Sequence, residues 1–212
     1  MKIIIFAGGE LEYTEFYRRL ALDSDFIICC DSGSNHAHNL DIVPNLIVGD
    51  LDSIDGKVLA EFSKLNVEFH IFPKAKDATD LELAVEAAKQ HSPHEITILG
   101  GFGGRVDHLF GNVNVLVAAT LSGINISMLD LHTKITVIQN TAEIAKEDYE
   151  YISLIPLAEG TRITACGLEY PLNKDILGLW TTLGISNKFC SDIAAITLES
   201  GLLLAVCTKS CP

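Results

Sequence analysis

Asp50 and Asp52 flank a single residue in Gly49-Asp50-Leu51-Asp52-Ser53, a stretch that follows the apolar run 46–48. Two carboxylates at that spacing just past a strand can both reach a hard cation through oxygen ligands. The same residues also suit a plainer role, in which Asp52 and Ser53 cap the next helix, and the motif alone does not choose. Lys74-Ala75-Lys76-Asp77-Ala78-Thr79-Asp80 sets two lysines and a hydroxyl at a helix start. Free amides and the helix dipole favour an anion such as phosphate there. Asp77 and Asp80 sit comfortably beside a phosphate only with a bridging cation, although acidic residues in a first helical turn are also favourable for structure alone. Gly100 to His108 joins a glycine-rich loop, which lets backbone approach a ligand, to Arg105. Its guanidinium is either a forked phosphate clamp or a partner for Asp107 or Asp31. The loop has neither the Gly-Lys-Ser/Thr ending of a P-loop nor the dinucleotide Gly-x-Gly-x-x-Gly spacing. His108 by itself reads as a partly buried helix residue. Asp31-Ser32-Gly33-Ser34-Asn35 is an Asx turn or a fourth acidic loop.

Placement is what links these loops, together with Gly8-Gly9-Glu10. Each follows an apolar strand-like run, at 2–7, 26–30, 46–48, 67–72 and 95–99, and helix-like segments near 14–22, 55–63, 80–91 and 107–121 alternate with them. That alternation predicts parallel βαβ units. In an open parallel sheet, ligands bind outside the carboxyl ends of the strands, so the loops are expected to converge on one metal-nucleotide crevice. Thr79 and Glu82 have capping-box spacing at the start of one helix, which carries Leu81, Ala84, Val85 and Ala88 as its apolar stripe. The helix from Asp107 carries Leu109, Phe110, Val113, Leu116 and Val117 and is expected to be buried on more than one face. After the run 124–129 the pattern changes to short β segments around 134–139, 151–155, 161–166, 179–183, 193–199 and 202–207. Ser200-Gly201 reads as a hairpin turn between the last two. The predicted fold is α/β: a mostly parallel α/β sheet domain over 1–132, then a smaller all-β sandwich over 133–212, with the boundary near 130–140.

Composition narrows the partners. The chain has 212 residues, 48% of them apolar, enough for one substantial core or two modest ones. Its 15 basic and 28 acidic side chains leave a net charge of −13, and no Lys/Arg-rich run interrupts it. A nucleic-acid backbone would be repelled. A phosphorylated substrate would need divalent metal to screen it from the carboxylates that bind it, which implies magnesium indirectly. The cysteines at 29, 30, 166, 190, 207 and 211 form no Cys-x-x-Cys pair and no zinc-type spacing. Most read as buried small hydrophobes in a reducing cytoplasm. Met1 to Ala7 reads as a first strand rather than a signal peptide, because glycines and Glu10 follow too soon. No uncharged apolar stretch approaches the roughly 20 residues needed to span a bilayer, so no membrane partner is expected.

The ordered set Asp31-Ser-Gly-Ser-Asn35, Gly49-Asp-Leu-Asp-Ser53, Lys76-Asp-Ala-Thr-Asp80 and Gly104-Arg-Val-Asp-His108, followed by Asn112, resembles the thiamine pyrophosphokinase family. Ser153-Leu-Ile-Pro-Leu157, Gly167-Leu-Glu-Tyr-Pro-Leu172 and Gly184-Ile-Ser-Asn187 are similar to that family's β domain. Ser32-Gly33-Ser34 departs from the family's more frequent Gly-Gly-Ala but keeps small residues. The resemblance implies transfer of a diphosphate group from ATP to the hydroxyl of thiamine, giving thiamine diphosphate and AMP. It also implies a homodimer with thiamine near the interface. By match to the family's motifs, Asp50, Asp52 and Asp80 would hold Mg2+ on the ATP phosphates, and Asp31 and Asp107 would complete the acidic site. Lys76 and Arg105 would steady phosphate oxygens, with Asp77, Thr79, His108 and Asn112 in the same ATP-binding set. Ser186 and Asn187 match the segment that contacts the thiamine pyrimidine, and Trp180 would be a stacking platform for an aromatic cation. Two other readings stay open: a metal-dependent nucleotide-sugar transferase, which shares Asp-x-Asp after a strand, and a catalytically silent nucleotide-binding module that senses ATP or thiamine diphosphate.

Overall fold

The computed structural model describes residues 1–210. The chain divides into two compact units, Met1–Asp130 and Leu131–Pro212. In the first, β1 (Lys2–Phe6), β2 (Phe26–Cys30), β3 (Leu46–Gly49), β4 (Glu68–Ile71), β5 (Glu95–Leu99) and β6 (Ile126–Leu129) alternate with helices. The helices are α1 (Glu15–Leu22), α2 (Gly33–Asn39), α3 (Gly56–Phe62), α4 (Asp80–Lys89) and α5 (Val106–Leu121). Every strand pairing in this unit is parallel, in the order β6-β5-β1-β2-β3-β4. Parallel strands covered on both faces need continuous apolar runs, and Ile3–Phe6, Ile27–Cys30 and Leu46–Val48 are buried throughout. The edge strand β4 is only half-buried. After β1 the chain builds outward through β2, β3 and β4, then returns to lay β5 on the other side of β1. The topological switch point, where such sheets open a crevice, therefore lies between β1 and β5.

Local chemistry sets the helix starts. Thr79 accepts from the Glu82 amide at 3.2 Å to cap α4, and Asp55 accepts from the Lys57 amide at 2.8 Å to cap α3. The stripe Leu81, Ala84, Val85 and Ala88 is buried as its spacing predicts. In α5 only Val115, Leu116 and Ala119 are fully buried, while Val106, Phe110 and Leu121 are exposed, so the expected burial on several faces is not found. Gly33–Asn39, whose loop start had suggested an Asx turn, is helical because its small residues fit against the sheet: Gly33, Ser34 and Ala37 are buried.

The second unit is antiparallel. One sheet orders β12 (Asn187–Lys188), β9 (Tyr151–Pro156), β14 (Leu203–Thr208) and β7 (Thr133–Ile138). The other orders β11 (Leu172–Leu177), β10 (Thr161–Cys166), β13 (Ile193–Ser200) and β8 (Thr141–Ala145). Ile152, Leu154 and Ala205 from the first sheet share one core with Ile163, Ala194 and Ile196 from the second. Two expectations fail here. Ser200-Gly201 is not a hairpin turn, because β13 and β14 lie in different sheets and pair with other strands. Residues 179–183 form turns rather than a strand, with Leu179, Trp180 and Leu183 exposed instead of alternating into a core.

The described cysteines are all free: Cys29, Cys30 and Cys207 are buried, Cys166 and Cys190 exposed. Burial pushes the Cys207 thiol up to about 12. Cys211 lies outside the described residues. Among the described residues, no helix is long and apolar enough to cross a membrane.

Candidate active site

The five loops at the carboxyl ends of β1 to β5 do not contribute equally. Asp31 follows β2 with φ 42°, a left-handed backbone that aspartate and asparagine tolerate better than most residues. Its amide donates to the Val48 carbonyl at 2.9 Å, which ties it to β3, and it is only 8% exposed. Gly49 has φ 151°, and a side chain there would press on the Asp31 Cβ at 3.0 Å and on Asp80 Oδ1 at 3.3 Å. Glycine is thus what lets Asp31 and Asp80 close over the end of β3. Leu51 has φ 65°, an outlier for a bulky residue, and the strained turn brings the Asp52 amide to 3.2 Å from Asp50 Oδ1.

Asp31, Asp50 and Asp52 each offer a carboxylate oxygen, and these oxygens lie within 4.8 Å of one another. Asp31 Oδ1 is buried with no hydrogen-bond partner among the described residues. A buried carboxylate with one oxygen orphaned and two further carboxylates close by is a donor set that could hold a hard, oxygen-liganded cation. Burial is the largest influence on the Asp31 carboxyl and raises its pKa; the Ser53 hydroxyl opposes that, and Asp50 and Asp80 add to the rise. Asp52 moves the other way: the Lys74 ammonium, at 2.5 Å, holds its carboxyl below the usual range, helped by the Ser53 hydroxyl at 3.0 Å.

Beside this cluster is a cleft of about 600 Å³ lined by the glycine loops and by Asp31, Lys74, Lys76, Thr79, Asp80, Arg105, Asp107, His108 and Asn112. Its volume is in the range of small-molecule sites. Three cations enter it, each already matched to a carboxylate: Lys74 to Asp52, Lys76 to Asp80 at 2.5 Å, and Arg105 to Asp107 through two bonds of 3.1 and 2.5 Å. Of the two readings of Arg105, the structure shows the pairing with Asp107, which holds the Asp107 carboxyl below its ordinary value. Asn112 donates to the Gly101 carbonyl at 2.9 Å, so α5 secures the glycine loop. His108 is exposed rather than partly buried. Asp50, Asp52 and Asp77 do not line the cleft; Asp52 reaches it through Ser53 and Lys74, and Asp77 is simply exposed.

Three residues outside the predicted set bear on the site: Lys74 lines the cleft, while Asn35 and His36 do not line it but bond to its loops. Lys74 and Asn35 stand inside quoted motifs, but the bonds of Asn35 to Ser53 and Asp55, and of His36 to Gly9, span long sequence separations that no local pattern announces. In the second unit, Asn187 is buried, and its amide accepts from the Tyr170 and Lys188 amides at 3.0 and 2.9 Å while donating to the Tyr170 carbonyl at 2.7 Å. Ser186 is exposed with φ 55°, its amide donating to Ser153 Oγ at 3.0 Å. Trp180 is 91% exposed.

Two family models match the chain: "Thiamin pyrophosphokinase, catalytic domain" over residues 17–128, more than half the chain, and "Thiamin pyrophosphokinase, vitamin B1 binding domain" over residues 138–203. The chain belongs to the thiamine pyrophosphokinase family. It is 32% identical over 179 residues to thiamine pyrophosphokinase of Bacillus subtilis (strain 168), covering 83% of this chain and 84% of that one. It is 28% identical over 210 residues to thiamine pyrophosphokinase 1 of Oryza sativa subsp. japonica, covering 86% and 79%. The crystal structure of the Bacillus subtilis thiamine pyrophosphokinase superposes with a TM-score of 0.89 over 100% of both chains at 29% identity. Family membership sets aside the nucleotide-sugar transferase reading. The α/β unit followed by an antiparallel β unit is the family's fold.

Proposed function

We propose that this chain is a thiamine diphosphokinase, moving the diphosphate group of ATP to the thiamine hydroxyl to give thiamine diphosphate and AMP. The observation that carries the reading is the Asp31 carboxylate, buried with its Oδ1 unpartnered and with a ligand oxygen within 4.8 Å of those of Asp50 and Asp52, at the edge of a cleft bearing Lys76 and Arg105. A nucleotide sensor has no use for so many carboxylates around one phosphate chain. Asp31, Asp50 and Asp52 would hold Mg2+, with Asp80 beside Asp31 completing the shell. The bound cation would screen the phosphate oxygens from these carboxylates.

The chain's own residues do the rest. The glycine loops bring backbone amides close to the ligand, and Lys76 and Arg105 exchange their carboxylate partners for phosphate oxygens, which neutralises charge as AMP leaves. Transfer then depends on in-line placement of the thiamine hydroxyl. Asp80 and Asp107 both line the cleft as candidate acceptors for its proton. We assign residues 1–132 to ATP and Mg2+ binding and catalysis and 133–212 to thiamine binding, supported by the two matching models. Thr79, His108 and Asn112 stay in the nucleotide set, Asp77 at its margin. Trp180, Ser186 and Asn187 stay in the thiamine set. The protein is proposed as a cytoplasmic homodimer, supported by the free cysteines and by the exposed Phe110, Tyr170 and Trp180.

The test is purified protein with ATP, Mg2+ and thiamine, with nucleotide and thiamine products resolved. AMP with thiamine diphosphate is expected; ADP with thiamine monophosphate would overturn diphosphate transfer. Light scattering on the same preparation should give twice the chain mass, and a monomer would overturn the dimer.

A further inference from the structure

The short helix α2 touches both halves of the site through two adjacent side chains. Residues one apart on a helix point about 100° away from each other, so neighbours can reach different loops. Asn35 reaches the acidic loop: its Oδ1 accepts from the Asp55 amide at 2.9 Å and its Nδ2 donates to the Ser53 carbonyl at 3.3 Å, a bracket across the segment that follows Asp50 and Asp52. His36 reaches the glycine loops: its Nε2 lies 2.7 Å from the Gly9 carbonyl oxygen. A carbonyl only accepts, so Nε2 carries the proton, and in the neutral ring Nδ1 is left to accept from the Tyr13 hydroxyl at 3.3 Å. Burial lowers the His36 pKa and favours that neutral form.

Gly9 is the point where the two glycine loops meet. Its amide donates to the Gly100 carbonyl at 2.8 Å, and the Glu10 amide donates to the Phe102 carbonyl at 3.2 Å. A side chain at Gly9 would collide with both carbonyls, and one at Gly103 would meet the Glu10 Cβ at 2.8 Å. Fixing the Gly9 carbonyl therefore fixes the loop that leads into Arg105 and Asp107. The helix itself cannot drift, since Ser34 and Ala37 are fully buried and Gly33 sits directly on the Phe6 carbonyl.

We propose that α2 is the positioning element of the site, with His36 setting the glycine loops for the nucleotide and Asn35 setting the acidic loop for the cation. Neither is a catalytic residue; each acts through the loop it holds. The kinetic part of this inference rests on the thiamine diphosphokinase reading, whereas the loop bracing does not.

The experiment compares His36→Ala, His36→Gln and Asn35→Ala with the natural chain. A misplaced loop costs binding and orientation, so His36→Ala should raise the KM for ATP about tenfold, with kcat and the KM for thiamine changing less than about threefold. Glutamine can place a donor near the Nε2 position, and His36→Gln should recover most of the loss. Asn35→Ala should instead raise the Mg2+ concentration for half-maximal rate about tenfold. Hydrogen exchange on the ligand-free chain separates the two arms: amides of Gly9 and Glu10 should exchange faster in His36→Ala, and those of Ser53 to Asp55 in Asn35→Ala. Identical shifts in ATP and Mg2+ requirement for both variants, or no rescue by glutamine, would overturn the division of roles. Unchanged exchange would overturn the bracing itself. If the natural chain makes no thiamine diphosphate, the reading of the site fails, and exchange still decides whether α2 braces the loops.

Discussion

The two units spend their buried polar groups differently. In the first, Asp31 is buried with an oxygen left unpartnered and two carboxylates close by, an arrangement that works against stability unless something positive completes it. In the second, Asn187 is buried to a similar degree, yet its amide is in bonds to the backbone of Tyr170 and Lys188. One buried polar group is left with an unpartnered oxygen and the other braces a loop. Two residues both drawn from family motifs thus have opposite physical characters, which only their partners reveal.

Asp31→Asn breaks the comparison most severely. Asparagine accepts the left-handed backbone at this position, so the fold is retained while the charge is lost. Turnover should fall on the order of a thousandfold, since several kcal/mol of charge stabilisation is removed. At neutral pH and without Mg2+, the variant should melt higher than the natural chain. The sign follows from the raised pKa. In the window between 3.8 and the folded-state value, the folded chain binds more protons than the unfolded one, so this carboxyl's contribution to stability is lost as pH rises through that window. The advantage of Asp31→Asn should accordingly shrink as pH falls through the same window, and Mg2+ should raise the melting temperature of the natural chain only. Thermal scans across pH, with and without Mg2+, check this; a variant that melts lower at neutral pH and keeps its turnover would show that Asp31 is a structural residue like Asn187.

The same contrast explains what the sequence made legible. The strands β1 to β3 of the first unit are buried on both faces along most of their length, so each is a nearly unbroken apolar run that gives way to glycine or aspartate, and the loops that follow them are easy to place. By contrast, α2 has no apolar period; it forms because Gly33, Ser34 and Ala37 are small enough to pack on the sheet, which is a tertiary fact. Arg105 had two equivalent partners on paper, and only the turn geometry gives it to Asp107. In the β unit, turn residues at Ser200-Gly201 mark where the chain reverses but not which sheet it enters. The strand β11 was missed because Asn173, Lys174 and Ile176 are exposed and Lys174 takes φ 57°, so no alternation shows. The apolar content of 179–185 points outward, which hydropathy cannot distinguish from a strand.

A smaller effect sharpens the second half of the comparison. Asn187→Ala removes three part-buried hydrogen bonds and leaves the Tyr170 and Lys188 backbone groups without that partner, a loss of about 2–4 kcal/mol. The melting temperature should drop by roughly 5–15 °C for a chain of this size. Ser186→Ala, on an exposed side chain whose backbone amide makes the bond to Ser153, should change stability by less than about 0.5 kcal/mol. Denaturant titration of both variants checks the pair. Equal stabilities would mean that Asn187 does not brace the Tyr170 loop.

Trp180 carries the smallest stability effect and the cleanest functional one. At 91% exposure it contributes little to the core, so Trp180→Ala should leave stability within about 0.5 kcal/mol of the natural chain. An indole held in water beside the exposed Leu179, Leu183 and Ile185 is the kind of apolar patch that marks a contact surface. Its electron-rich face suits the permanently cationic thiazolium of thiamine, an attraction of about 1–2 kcal/mol. That predicts a rise in the KM for thiamine of roughly five- to thirtyfold, with the KM for ATP unmoved and partial recovery in Trp180→Phe. Steady-state kinetics with each substrate varied in turn decides it. If the thiamine requirement stays where it was, the exposed indole serves some other contact, and thiamine recognition in this unit falls to the segment that Asn187 braces.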